Sequence, residues 1–414
     1  MEQSSGDFDK DKIELILSAK FKYYKKLNPE DQKKFVDRTY LFANNKEFLT
    51  RDAKDILDEM DNIKTLISAA AIELTFGLSE YELPHFSKIF IYPHDYYNGL
   101  TKHWHKGETN IMGAIVFSWK DFQEAYNEEH GKTNLGLHEM AHALLLTDKI
   151  DEGRDAFFDA YFDRWWAISS TEFKKLAKHE TSFFRDYGGT NQQEFFAVCM
   201  ECFFEASQEF KEKHPEIYRQ TCILLNQDPS GDFSKITEAR EELLKSFQNI
   251  DPGILIYRTK GRTLMNTVLS SGGIGVYLFF TFFLFGRIDV IQHIFIWGLS
   301  AALIVFLVIR LVKYKEFYVY DNAFAIGYER HGEDLEKMDV IGAPLCVSIT
   351  FRTIYHYRSI DSHVIELMHI DDGNLTKTEW TYNHIKSGQV EELKNAVKDF
   401  CAKNYIGFHL DPQN

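Results

Sequence analysis

The chain has 414 residues, enough for two or three domains, and a formal net charge of −15. So acidic a chain argues against nucleic acid as a partner of the whole molecule, because that contact needs a surplus of Lys and Arg. Five cysteines (Cys199, Cys202, Cys222, Cys346 and Cys401) are sparse and odd in number, which fits a reducing compartment.

The first residues, "MEQSSGDFDKDK", have no apolar core of a secretory signal and read as a flexible tail over residues 1–12. From there to about residue 80 the pattern is helical. "NPEDQKKFVDRTYLFANN" starts with Asn28 as cap and Pro29 at the first helical position. Short strands are expected at Lys88–Tyr92 and Ile111–Trp119, the second as an edge on which an extended peptide docks by backbone hydrogen bonds. Between them lies "HWH". A loop on the rim of a site is the plainer reading of His103 and His105, and a metal contact the alternative.

"NLGLHEMAHALLLTD" follows, with His138, Glu139 and His142 as H-E-x-x-H. Positions i and i+4 are about 40° apart around a helix, so both imidazoles project from one face. Two such imidazoles reach one zinc ion at about 2.0–2.1 Å. Glu139 points off their axis and suits a general base. Thr133 is the expected N-cap. The alternative is an amphipathic helix with polar residues on its edge, which would have to desolvate His138, Glu139 and His142 among leucines, at several kcal/mol unless they find partners.

A zinc peptidase needs a third protein ligand and an open position for water. "DYGGTNQQEFFAVCMECFFE" offers it. Thr190 and Gln193 read as a capping box, so a helix should begin near Asn191 with Glu194 in its first turn and Glu201 two turns along the same face. Glu194 could equally serve only the helix dipole. Cys199 and Cys202 form a C-x-x-C inside this helix and read as small core residues, with a metal or redox role as the alternative.

"HEMAH" followed by Tyr187, Glu194 and Glu201 in the pattern Y-x6-EFFAV-x2-E-x-FF resembles the Mlc titration factor A family of zinc peptidases. The helix pair is also similar to that of anthrax lethal factor. "KIFIYPHDYYNG" and "GAIVFSW" look like the family's strands, and the likeness runs from about residue 75 to about 230. The resemblance implies one zinc per chain on His138, His142 and Glu194, with Glu139 as base. It further implies Tyr187 polarising the carbonyl or holding the oxyanion, and Glu201 orienting a ligand histidine.

Leu264 to Phe285 contains no charge over about 22 residues, and a helix of that length covers about 33 Å, enough to cross a bilayer. Val290 to Val312 is a second apolar run, so a transmembrane hairpin over 264–312 is expected, with two buried helices as the alternative. Arg258, Lys260 and Arg262 before it and Arg310, Lys313 and Lys315 at its end would put both flanks in the cytoplasm. Then come β-rich runs and an amphipathic helix whose Val390, Leu393, Ala396, Val397 and Phe400 share a face, an order of elements that resembles bacterial pleckstrin-homology-like domains.

The expected fold class is therefore α+β. A zincin-like, mainly helical metallopeptidase domain (13–250) precedes the hairpin (264–312) and a small β-rich domain closed by a helix (315–408). The expected protein is a multi-pass protein of the cytoplasmic membrane with both terminal domains in the cytoplasm. Its expected partners are a peptide or protein substrate and the lipid bilayer. The competing reading is a module that sequesters a regulatory protein, zinc then being mainly structural.

Overall fold

The computed structural model describes residues 8–51, 54–99, 102–127, 131–150, 155–245, 252, 254–259, 315–328, 338–356, 359–371, 374–381 and 387–410. The chain divides into two compact units, Met1–Lys245 and Ser246–Asn414.

In the first unit Asp9 caps α1 (Lys10–Lys20) by accepting from the Lys12 N–H, so a helix begins inside the stretch expected as a tail. After α2 (Lys22–Lys26), α3 (Pro29–Asn44) starts as its sequence dictates, with Asn28 as cap and Pro29 in the first turn. β1 (Glu47–Thr50) leads to α4 (Met60–Thr75). Every α4 side chain from Thr65 to Thr75 is buried, which accounts for an apolar pattern that is continuous rather than striped. β2 (Lys88–Tyr92), β3 (Tyr96–Asn98), β4 (His103–His105), β5 (Gly107–Asn110) and β6 (Ala114–Ser118) follow.

The sheet order is β1-β2-β6-β5, parallel except for the antiparallel edge strand β5. Gly113, at φ +85°, closes the β5–β6 turn in a conformation that a side chain would strain. The strand expected as the docking edge, β6, thus lies inside the sheet, and the edge belongs to β5. The "HWH" stretch is likewise not a loop: β4 pairs antiparallel with β3 as a small hairpin.

Next come α5 (Trp119–Asn127), α6 (Leu135–Ile150), α7 (Ala156–Leu176), a 3-10 turn at Asp186–Gly189 and α8 (Gln192–Glu205). α9 (Ser207–Lys213), α10 (Pro215–Leu225) and α11 (Ala239–Lys245) complete the unit. α6 packs on β5, β6, α4, α5 and α8, which places it between the sheet and the downstream helices.

Among the described residues of the second unit are two four-stranded sheets. β7 (Leu255–Arg258), β8 (Lys315–Tyr320), β9 (Ala323–Tyr328) and β10 (Asp339–Gly342) form an antiparallel sheet in the order β10-β9-β8-β7. β11 (Cys346–His356), β12 (Ser359–Asp371) and β13 (Asn374–Thr381) precede α12 (Ser387–Asn404) and β14 (Gly407–Leu410). Their order is β13-β12-β11-β14, with β14 parallel to β11. Phe317, Phe324, Phe351, Leu367 and Trp380 share a core with Val390, Leu393, Val397 and Phe400 of α12, the helix face read from the sequence. The helix does not close the domain, because the chain turns after it and adds β14. The likeness to pleckstrin-homology domains finds no support.

The expected fold class needs a larger correction. The described chain is a mixture of helices and sheets, and among the described residues no helix is long and apolar enough to cross a membrane. The apolar runs within 264–312 lie outside the described residues. The transmembrane hairpin is therefore unsupported, and so is the multi-pass membrane location built on it. Uncharged length is a necessary condition for a span and not a sufficient one.

Candidate metal centre

α6 and α8 pack side by side, and residues of both helices line a cleft of about 510 Å³. Asn134, and not Thr133, caps α6: its Oδ1 accepts from the Leu137 N–H at 3.1 Å. Asn191, one residue past Thr190, caps α8 by accepting from the N–H groups of Gln193 and Glu194. Both corrections follow from the preference of Asn for caps, with its short carbonyl arm, and both helices still present the expected faces.

His138, His142 and Glu194 come together, with donor atoms all within 4.8 Å of one another. Glu194 Oε2 lies 3.2 Å from His138 Nε2 and 3.4 Å from His142 Nε2. The two Nε2 atoms are 3.1 Å apart. Donors each about 2.0–2.1 Å from a tetrahedral ion stand about 3.3–3.4 Å from one another. The observed spacings match that figure. Glu194 Oε2 is also buried and makes no hydrogen bond of acceptable geometry, an orphaned acceptor of the kind a cation satisfies. The residues present thus fit a single ion of the zinc type.

Burial would raise the Glu194 carboxyl, but the imidazoles of His138 and His142 outweigh it and hold the group well below the usual carboxylate range. Burial would likewise depress His138, yet the carboxylates of Glu194 and Glu201 close beside it raise it to about 9.

Glu201 lies behind His138. Its carboxylate is 1 % exposed and takes His138 Nδ1 at 2.6 Å and the Asn134 backbone N–H at 2.8 Å. Arg185 also bonds to it. With Nδ1–H donating to Glu201, the lone pair of Nε2 faces Glu194 and His142. Arg185 was not read from the sequence. It supplies the positive charge that a buried carboxylate requires, and its guanidinium also stands over the Tyr187 ring at 5.4 Å. Its position two residues before Tyr187 is the only signal that could have pointed to it.

Glu139 is buried under β5. Thr109 Oγ1 lies 2.9 Å from its Oε2, and Gly107 leaves room for its other oxygen. Burial raises the carboxyl above its ordinary pKa against the lowering pull of His138 and His142. Neither Thr109 nor Gly107 was expected; a glycine in a short strand is the usual mark of a close approach. Tyr187, in the 3-10 turn before α8, is 50 % exposed, with its ring centroid 6.0 Å from that of His138. Burial and the neighbouring Glu194 push its pKa to about 12.

His105 lines the cleft, but neither it nor His103 belongs to the three-donor group found among the described residues. Cys199 and Cys202 are buried free thiols whose pKa values burial raises, as core residues would be.

Two histidines one helical turn apart, a carboxylate from a second helix and a further buried carboxylate beside them make a metallopeptidase-like arrangement. The whole-chain comparison agrees: residues 4–223, more than half of the sequence, match the M90 family of glucose-regulated metallopeptidases, and the chain belongs to that family. Membership implies a metal. An uncharacterized protein of Synechocystis sp. is 25 % identical over 232 residues, covering 50 % of this chain and 80 % of that protein. Mlc titration factor A of Salmonella arizonae is 26 % identical over 131 residues, 30 % of this chain and 51 % of its own length. The same protein of Salmonella paratyphi B matches at 26 % over 131 residues, 49 % of its length. The chain thus spans about half of Mlc titration factor A.

Proposed function

We propose that this chain is a zinc-dependent peptidase whose ion is held by His138, His142 and Glu194, with Glu139 as general base and Tyr187 as hydrogen-bond donor to the reacting carbonyl. The mutual spacing of the three donors, 3.1 to 3.4 Å, carries this reading. A zinc ion held there supplies Lewis acidity, which acidifies a water molecule and polarises a carbonyl.

The protein's own groups supply the rest. Glu139, made more basic by burial, accepts the proton of the attacking water and returns it to the leaving amine. Thr109 fixes one of its oxygens and leaves the other for the transfer. Tyr187 stays protonated at physiological pH and donates to the carbonyl oxygen as negative charge builds there. Glu201, neutralised by Arg185, keeps His138 in the tautomer that ligation requires. The substrate class is a peptide in extended form, added by backbone hydrogen bonds to β5, the sheet edge that covers Glu139.

A second reading has its own support. The name Mlc titration factor A points to capture of a protein partner. On this chain Trp104, 66 % exposed on the cleft wall, packs edge-to-face with the exposed Tyr97, a surface suited to holding a protein. Zinc would then be mainly structural.

Metal analysis tests the centre. The wild type should hold about one zinc per chain, and Glu194→Ala should weaken binding by at least ~10-fold, as expected for a lost ligand. Equal zinc content in the two proteins would show that Glu194 is not a ligand.

A further inference from the structure

A second cavity, of about 130 Å³, lies beneath α2 and α4, on the other side of Asn134 from the metal centre. A cavity of that volume has room for several waters or for one small ligand. Glu73, Glu205 and Tyr126 line it, together with Phe21, Phe204 and Phe233. Glu73 is 6 % exposed and its Oε2 makes no hydrogen bond; the Tyr126 hydroxyl is buried beside the Asn134 side chain and makes no hydrogen bond of good geometry. A carboxylate taken out of water without a partner costs several kcal/mol, so an orphaned carboxylate oxygen on one small cavity marks a place for a donor. Glu205 keeps one oxygen for Asn134 Nδ2 at 2.6 Å and turns toward the same space. Lys22 and Lys26 line the cavity from its exposed side, and neither satisfies Glu73 Oε2.

We propose that this cavity binds a small α-amino acid, with its ammonium group inward on Glu73, Glu205 and Tyr126 and its carboxylate outward at Lys26. Each end of the ligand meets its complement. An ammonium has several N–H donors to give, and three acceptors await them. A divalent or alkali cation would find too few oxygens here, since hard cations take about six to eight, and would gain nothing from Lys26. The aromatic walls suit an ammonium and a short aliphatic side chain. The size of the cavity restricts the side chain to that of glycine, alanine or serine.

The site is tied to the α6 helix. Glu205 holds Asn134, and Asn134 caps the helix that carries His138 and Glu139. A ligand that fixes Glu205 therefore steadies α6, whether or not a metal is bound.

The test uses the full chain without metal, by thermal melting and isothermal titration at constant ionic strength. Alanine should raise the melting temperature saturably, by about 1–3 °C at ten times its dissociation constant. That constant should be millimolar or somewhat below, the range open to a ligand of about six non-hydrogen atoms. Ethylammonium, which lacks the carboxylate, should bind at least about fivefold more weakly, and propionate, which lacks the ammonium, should not bind. Glu73→Gln should abolish the effect of alanine. Lys26→Met, an exposed change that keeps the test open should Glu73→Gln not fold, should weaken it at least about fivefold. The proposal is overturned by the absence of a saturable shift, by propionate or ethylammonium matching alanine, or by an unchanged constant in the folded variants.

Discussion

A Cβ placed on Gly107 would stand 2.5 Å from Oε1 and 2.8 Å from Cγ of Glu139, closer than real contacts allow. The Glu139 carboxylate therefore owes its position to the absence of a side chain on the strand above it, and Thr109 Oγ1, 2.9 Å from its other oxygen, completes the clamp. Gly107→Ala should displace the carboxylate while sparing His138, His142 and Glu194. Peptidase activity should fall about 100-fold, the cost of misplacing a reacting group by about 1 Å, with zinc content unchanged. Activity at the wild-type level would show that Glu139 is not confined as described. The sequence made His138 and His142 legible because helical spacing is local, and it singled out Glu194 as their companion only through the family resemblance. It could not disclose Gly107, Thr109 or Arg185, which matter only once β5 and the 3-10 turn are brought against α6.

The α6 helix depends on one residue at its start. Asn134 gives its Oδ1 to the Leu137 N–H, its own N–H to Glu201 and its Nδ2 to Glu205. Asn134→Ala removes the cap and the side-chain bond and keeps the backbone N–H, so it should cost about 1–2 kcal/mol in chemical denaturation. Zinc affinity should fall with it, because His138 sits in the first turn. A variant as stable as the wild type would mean that α6 is held by packing alone. Elements were legible in proportion to their length. α3, β2 and α12 stand where their patterns put them, while four-residue strands such as β1 and β5 carry too few alternations to be seen. The "HWH" run was taken for a loop because its pairing with β3 is a tertiary fact.

At the scale of the whole molecule, one buried cation sets an alkaline signature on stability. Lys46 is 9 % exposed, donates to the Leu83 carbonyl at 2.8 Å and has its pKa lowered from 10.5 to about 8 by burial. Between those values the unfolded chain binds a proton that the folded chain has lost, so stability rises with pH there. The penalty is complete below about 8 and gone above 10.5. Denaturation at pH 7.5 and 9.5 should show the wild type gaining on Lys46→Met by up to about 1.4 kcal/mol per pH unit, and a constant gap would refute the assignment. The sequence conveyed the mixture of helices and sheets. The membrane hairpin expected over 264–312 finds no support among the described residues, where no helix is long and apolar enough to cross a bilayer.

The central claim is that Glu139 moves a proton for a metal held by its neighbours, and one comparison tests it most directly. Cleavage of a single peptide, selected from a library, is to be measured for wild type and Glu139→Gln at equal, measured zinc content. The amide is nearly isosteric with the carboxylate and takes no proton. Turnover should therefore fall by ~100-fold or more while zinc and fold persist. Turnover by Glu139→Gln equal to that of the wild type would contradict the account, and so would a zinc-loaded wild type that cleaves nothing in a broad library while still holding a protein partner.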